Sequence, residues 1–209
     1  MKKRIAVFVS GGGTNLQALI DAQKSGIINS GEIAVVISSK PDVYALKRAE
    51  SANIPTAVVS RKTCNSQEEF EQGIIRVLDE YMIDFIILAG FMSILSEDFT
   101  KDYPERILNV HPSLIPSFCG KGFYGLHVHE EVLKRGVKLT GATVHFVDAG
   151  TDTGPIIMQK AVEVLDDDTP EVLQRRVMEQ AEWKIMPEAI NLIANGLVTV
   201  VDNKVKIKR

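Results

Sequence analysis

Apolar residues fall into short unbroken runs at Ile5–Val9, Ile33–Ile37, Ala57–Val59, Phe85–Ala89 and Ile107–Val110. Such runs, continuous rather than alternating, mark strands buried on both faces and predict a parallel sheet. Between them the spacing predicts helices over Asn15–Lys24, ending before Gly26, over Val43–Ala52, ending before Pro55, and over Gln67–Glu80, opened by Ser66. Strand and helix in alternation define an α/β fold. After Val110 the rhythm changes. Residues 112–126 carry two prolines and three glycines and read as a loop long enough to be functional or mobile. A helix follows over His127–Arg135, with Glu130/Lys134 and Glu131/Arg135 spaced four apart and Gly136 as its stop. Ala142–Val147 and Ile156–Val164 predict two paired strands around the connection Asp148–Gly154. Asp168-Thr169-Pro170-Glu171 supplies the carboxylate, proline and glutamate of a helix start, and Leu173, Val177, Ala181 and Ile185 recur at intervals of four. Pro187 is expected to kink or end that helix. Leu197–Ile207, with Asp202-Asn203 at its turn, predicts a small surface hairpin whose lysines are a solvated edge.

Composition narrows the function classes. The 209 residues, 45% hydrophobic and 24% charged, exclude disorder, collagen and coiled coil, and show no repeat or linker. Twenty-four basic against 27 acidic residues, a net charge of -3, lack the electropositive footprint of a general nucleic-acid binder, while a small anionic ligand needs only local donors. The apolar run after the basic Met1–Arg4 is too short for a signal-peptide core, so no export is expected. The most apolar stretch, Phe85–Met92, falls far short of the ~20 residues that a membrane span needs. Cys64 and Cys119 read as reduced thiols of a cytosolic chain.

Two constellations carry chemistry. Ser10-Gly11-Gly12-Gly13-Thr14-Asn15 lies between the first strand and the first helix, where glycines allow close approach and helix amides favour an anion such as phosphate. It matches neither the dinucleotide nor the Gly-Lys-Ser/Thr fingerprint, and a ligand-free turn stays open. All four histidines, His111, His127, His129 and His145, fall in one stretch, yet without cysteine or acidic ligands at zinc spacing, so no metal is expected. His145 reads as a core or supporting histidine. His111 ends a buried strand just before the long loop, at the carboxyl end where α/β sheets bind ligands, and period-two alternation puts Asn109 on its side. An amide donor beside a titratable imidazole suits acyl transfer: Asn109 binds a developing oxyanion and His111 exchanges a proton. The bland alternative is strand-end capping. Asp152 is the preferred acid to tune the imidazole and Asp148 its competitor, either of them able to be a turn former.

Taken in order, Ser10–Ala18, Leu88–Met92, Leu108-Asn-Val-His-Pro-Ser-Leu-Ile-Pro116, Gly125–His129, Thr143–Val147 and Asp152-Thr-Gly-Pro155 closely resemble the folate-dependent phosphoribosylglycinamide formyltransferases of purine biosynthesis, over nearly the whole chain. The resemblance implies a single α/β domain over 1–209, its mostly parallel twisted sheet flanked by helices on both faces, with a Rossmann-like nucleotide-binding half at 1–110 and a folate and catalytic half at 111–209. It implies direct transfer of the formyl group of 10-formyltetrahydrofolate to the amine of glycinamide ribonucleotide, without an acyl-enzyme or a metal, in the cytoplasm. It implies a monomer or weak homodimer acting on small molecules, not on nucleic acid or membrane. Asn109 and His111 would stabilise the oxyanion, with His111 as proton donor, and Asp152 would raise the pKa of His111 and organise a water. Gly13, Thr14 and Asn15 would hold the ribonucleotide phosphate and Glu182 its sugar. Met92, Ser93, Ile94 and Leu95, with Asn109, would line the folate pocket.

Departures from the common pattern are Ser93 where many relatives carry arginine, Gln67 near another often basic position, Trp183 for the histidine that often follows Glu182, one extra residue in the preceding helix, and the longer Cys119–Tyr124 insert, expected to be a mobile flap. A methionyl-tRNA formyltransferase would need an added carboxyl-terminal domain that residues 197–209 cannot make. A formyltetrahydrofolate hydrolase would carry a domain before the first strand, which here is expected to begin at Arg4. A nucleotide-binding module without chemistry is the rival from another class. A dinucleotide oxidoreductase is disfavoured because no acidic residue ends the second strand.

Overall fold

A computed structural model describes residues 1–208. The chain divides into two compact units, Met1–Leu108 and Asn109–Arg209. In the first, strands β1 (Lys3–Val9), β2 (Gly31–Ser38), β3 (Thr56–Val58) and β4 (Phe85–Leu88) pair in parallel, interleaved with helices α1 (Thr14–Lys24), α2 (Tyr44–Ser51) and α3 (Gln67–Glu80). The short helix α4 (Glu97–Asp102) follows, and β5 (Ile107–His111) crosses the boundary between the units. The strand order is β3-β2-β1-β4-β5-β6-β7, where β6 (Leu139–Phe146) and β7 (Ile156–Glu163) are antiparallel. The fold is therefore α/β with a mostly parallel seven-stranded sheet, in agreement with the rhythm of apolar runs. Those runs are buried where they are continuous: Ile5 through Val9 and Val35 through Ile37 are no more than 1% exposed, because helices cover what would otherwise be a solvated face. The edge strand β7 is instead mostly open to solvent, burying Ile157 and Val162 and exposing Gln159, Lys160 and Ala161 between them.

Local signals set the helix ends. The Ser66 hydroxyl accepts the Glu69 amide at 3.0 Å and opens α3 where expected. Helix α5 (Leu126–Arg135) stops at Gly136, which takes the left-handed conformation. Strands β8 (Val198–Val201) and β9 (Lys204–Ile207) form the expected hairpin, with Asp202 and Asn203 both at positive φ, as a tight two-residue turn requires. Cys64 and Cys119 are free thiols, each half-buried. No helix among the described residues is long and apolar enough to cross a membrane.

Four details differ from expectation. Helix α4 has no periodic apolar pattern over its six residues; Ser96 starts it by accepting the Phe99 amide. On α5 the ion pairs are three apart, Lys134 with Glu131 and His127 with Glu130, since both spacings bring side chains together on a helix surface. At the start of α6 (Pro170–Val177) the Thr169 hydroxyl is the cap, while the Asp168 carboxylate pairs with Arg176 and accepts the Leu165 amide. Pro187 neither ends nor breaks α7 (Trp183–Ala194): the amide it lacks would have bonded to the first residue of the helix, and the departure from α geometry lies earlier, in a π-helical turn at Met178–Glu182. Leu173, Val177, Ala181 and Ile185 remain buried in a row through that turn. Replacing the α3 cap, Ser66→Ala, should lower the unfolding free energy by about 1 kcal/mol in urea titration, the usual cost of an unsatisfied first-turn amide.

Candidate active site

In the first unit, the Ser10–Asn15 loop leaves the carboxyl end of β1 and turns into α1 at Gly13. Gly13 has φ 71°, and a Cβ there would lie 2.7 Å from the Ala45 Cβ, so both the backbone and its neighbour on α2 demand glycine. The loop is braced from behind: Arg48 Nε donates to the Gly12 carbonyl at 2.9 Å, and the Ala45 amide donates to the Gly11 carbonyl at 3.1 Å. The N-cap residue of α1, Gly13, has no side chain to cap it, and the first turn holds no acidic residue. The helix opening is thus an anion-favouring end that no local carboxylate neutralises. Ser10 Oγ, buried, shares a hydrogen bond of 2.6 Å with Ser39 Oγ and accepts the Met92 amide at 2.8 Å. Residues Phe91–Leu95 have no regular structure, and Met92 and Ile94 stand exposed. Gln67 does not reach out to solvent but donates to the Ile94 carbonyl at 2.9 Å and to Glu71 at 2.6 Å.

In the second unit, Asn109 and His111 share one face of β5 and meet a group of side chains from β6 and the loop after it. Asn109 Nδ2 lies 3.3 Å from His145 Nε2, and His145 Nδ1 donates to the Phe146 carbonyl at 2.8 Å. The Asp152 carboxylate bridges the two imidazoles, with Oδ1 3.6 Å from His145 Nε2 and Oδ2 3.5 Å from His111 Nδ1. Asp152 Oδ2 also accepts the Gly120 amide at 2.9 Å, and His111 Nε2 donates to the Phe118 carbonyl at 2.8 Å. Asp152, not Asp148, therefore stands beside His111. Asp148 serves its own turn, accepting the Gly150 amide and the Thr153 hydroxyl. The connection is folded tightly against β6, for a Cβ at Gly154 would run into the Phe146 carbonyl oxygen.

Burial and charge oppose each other here. Burial pushes the His111 pKa down; the Phe118 carbonyl and the Asp152 charge push it up, the charge on His145 pushes it down, and the net shift is below the ordinary histidine value. Asp152 thus acts in the expected direction, but desolvation of the imidazole outweighs it. For Asp152 burial works upward, and the His145 imidazole, the Gly120 amide and the charge on His111 overcome it, so its carboxyl is held below the usual carboxylate range. Both nitrogens of His111 face acceptors, an arrangement that only the imidazolium satisfies in full. The site can stabilise an anion through Asn109 and the imidazoles and can exchange a proton.

The remaining candidates separate. His127 is exposed, paired with Glu130 and stacked on Phe123. His129 is wholly buried on α5, neither ring nitrogen finds a hydrogen-bond partner among the described residues, and burial with the nearby His111 charge lowers its pKa to about 4. Among the described residues no three His, Cys, Asp or Glu side chains are grouped as a metal would need. Glu182 is buried at the end of the π turn, and that turn explains the extra residue before it, because an i to i+5 turn absorbs one residue more than an α turn. The loop Pro112–Gly125 is pinned by Ser113 Oγ to the Ser117 carbonyl, by Thr143 to Ser113 and Ile115, and by Gln159 to the Ile115 carbonyl. His145 is the supporting histidine that its strand position predicts, buried in β6 beside Asn109 and Asp152, whereas the Phe118 carbonyl and the Gly120 amide had no signal in the sequence.

A side-chain amide, two imidazoles and a carboxylate grouped at the end of β5 are of the kind that can serve acyl transfer. The profile of the formyl transferase family matches residues 3–190. The chain is 47% identical over 199 residues to the trifunctional purine biosynthetic protein adenosine-3 of Gallus gallus, covering 95% of this chain and only 19% of that protein. It is 41% identical to the phosphoribosylglycinamide formyltransferase of Haemophilus influenzae, covering 96% of this chain and 92% of that one. Among solved structures, glycinamide ribonucleotide transformylase 1 from Symbiobacterium toebii superposes with a TM-score of 0.92 at 42% identity, over all of this chain and 95% of that one. This chain belongs to the formyl transferase family.

Two outcomes test the electrostatics. Asp152→Asn removes a charge that raises the His111 pKa, so the imidazole should titrate at still lower pH by NMR; an unchanged or higher value would separate the two groups. His129 takes up its proton in the unfolded chain near pH 6.5 but in the folded one only near 4, so stability should fall as pH drops through that window and level off below it, by on the order of 3 kcal/mol in all. His129→Leu should remove that part of the pH dependence in denaturant titrations.

Proposed function

We propose that this chain transfers the formyl group of 10-formyltetrahydrofolate to the amine of N1-(5-phospho-D-ribosyl)glycinamide, giving the N-formyl product and tetrahydrofolate in purine biosynthesis. The chain spans about a fifth of the length of the first relatives it matches, so the activity is argued from its own site as well as from kinship. The observation that carries the reading is the largely buried carboxylate of Asp152 held between His111 and His145 beside Asn109.

The substrate amine attacks the formyl carbon and the carbonyl oxygen becomes an oxyanion. The Asn109 amide and His111 Nε2–H donate to it, His111 releasing the Phe118 carbonyl to do so. As the bond from carbon to N10 breaks, N10 takes up a proton and the attacking nitrogen loses one, a transfer that a water held by Asp152 carries. Asp152 sets the orientation of both imidazoles and offsets part of the cost of charging His111. The uncapped opening of α1 at Gly13, Thr14 and Asn15 suits the ribonucleotide phosphate, and Glu182 the sugar. Met92 and Ile94, on the segment with Ser93 and Leu95, offer apolar surface to the folate. No covalent enzyme intermediate is involved, so positioning of the two substrates supplies much of the rate. The protein acts in the cytoplasm on these small molecules, without metal or nucleic acid, as a monomer or weak homodimer.

Purified protein should form the N-formyl product with 10-formyltetrahydrofolate as donor. Product only with formate and ATP would sink the folate reading, and release of formate without the amine substrate would make the chain a hydrolase. Asn109→Ala and His111→Ala should each lower kcat by about 10²- to 10³-fold while the protein stays folded; full activity in both would leave a binding module.

A further inference from the structure

The segment after β4 combines irregular backbone with exposed apolar side chains. It has no regular secondary structure, yet Met92 and Ile94 are 56% and 85% exposed on it, apolar side chains that an untethered chain would fold back onto the protein. Hydrogen bonds hold it out at three points. Ser10 Oγ accepts the Met92 amide at 2.8 Å. Gln67 Nε2 donates to the Ile94 carbonyl at 2.9 Å. At the far end Glu71 Oε1 accepts the Ser96 amide at 2.6 Å and Gln67 Nε2 at 2.6 Å, and Glu71 Oε2 accepts the Ser96 hydroxyl at 2.7 Å. Ser96 in turn caps α4 through the Phe99 amide, so its hydroxyl is used as both donor and acceptor.

Glu71 is a carboxylate 8% exposed in mid-helix on α3, and among the described residues no lysine, arginine or histidine forms an ion pair with it. A buried charge is costly unless its lone pairs are filled, and here neutral donors from Ser96 and Gln67 fill them. That arrangement makes the carboxylate the hub of the tether: it binds Ser96 directly and orients Gln67, which binds Ile94. We infer that Glu71 is a positioning residue for the folate cosubstrate, its carboxylate fixing the backbone of Met92–Ser96 so that Met92 and Ile94 form a ready-made apolar shelf for the flat ring system. The inference rests on the proposed formyl transfer for the identity of the ligand, while the tether itself is independent of it. Glu71 does not touch substrate. It spares the ligand the cost of ordering the segment, which is how a preorganised site gains affinity.

The test is a set of variants read by steady-state kinetics and by backbone amide exchange. Glu71→Leu fills the space but leaves the Ser96 amide without its acceptor. It should raise KM for 10-formyltetrahydrofolate about tenfold, with kcat and the KM for the ribonucleotide within about twofold of the parent. Exchange at Ile94–Ser96 should quicken in the same protein. Glu71→Gln keeps one oxygen for the Ser96 and Gln67 amides and turns its own amide to the Ser96 hydroxyl, so it should return the folate KM to within about twofold. Gln67→Ala, half-buried on the surface and safe for folding, should give a smaller rise of about threefold. A folate KM unmoved by Glu71→Leu overturns the inference, as does a parallel change of both KM values and kcat, the pattern of general damage. If the parent protein transfers no formyl group, the functional reading fails, and exchange at Ile94–Ser96 then decides the tether by itself: unchanged protection in Glu71→Leu overturns it.

Discussion

The arrangement of the candidate site depends on one largely buried negative charge. Asp152 lies in the turn between β6 and β7, 3.5 Å from one imidazole and 3.6 Å from another, with a backbone amide on the same oxygen that faces His111. Without these partners its burial would favour the neutral acid; with them the carboxyl stays ionised, and its field in turn makes a proton on His111 less costly than burial alone would allow. Each group is tolerable in the interior only because of the others. Such mutual dependence fixes geometry, since moving any one of them leaves a charge or a polar atom unpaired in a region of low dielectric.

Backbone geometry is the second constraint. Gly13 and Gly154 occupy positions where a side chain would strike the neighbouring main chain or helix, and each lets a functional loop close on its support: the opening of α1 against α2, and the Asp152 turn against β6. The segment Met92–Ser96 is fixed by a different device, polar tethers from Ser10 and from Gln67 and Glu71 of α3, because it forms no strand or helix of its own. Rigid scaffold and tethered loops together explain how short connections can present reactive groups with little freedom.

The order of strands and helices was legible because it follows from local terms: unbroken apolar runs for buried strands, the Ser66 hydroxyl and Gly136 for helix ends, Asp202-Asn203 for the last turn. Asn109, His111 and Asp152 were legible for a related reason, since strand ends and the turns beside them are where an α/β sheet exposes polar side chains, and the motif resemblance named the same residues. Where the sequence left a choice or an irregularity open, tertiary packing decided it. Asp148 and Asp152 sit in one turn and are equivalent by composition; Asp152 reaches His111 because Asp148 is spent on the Gly150 amide and the Thr153 hydroxyl. The extra residue before Glu182 resolves as a π turn, since the buried row from Leu173 to Ile185 has to stay in place.

By itself the sequence determined most of the elements, the glycine positions, the family, and Asn109, His111 and Asp152 as candidates at a strand end and a turn, all properties of neighbours in the chain or of short spacings. Tertiary structure alone decided that His145 joins Asn109 to Asp152, that the Phe118 carbonyl and the Gly120 amide sit on His111 and Asp152, that burial outweighs the carboxylate in setting the His111 pKa, and that Glu71 faces Ser96 across 25 residues. Desolvation and long-range hydrogen bonds depend on which atoms share a small volume, and no pattern along a chain encodes that volume until the chain has folded around it.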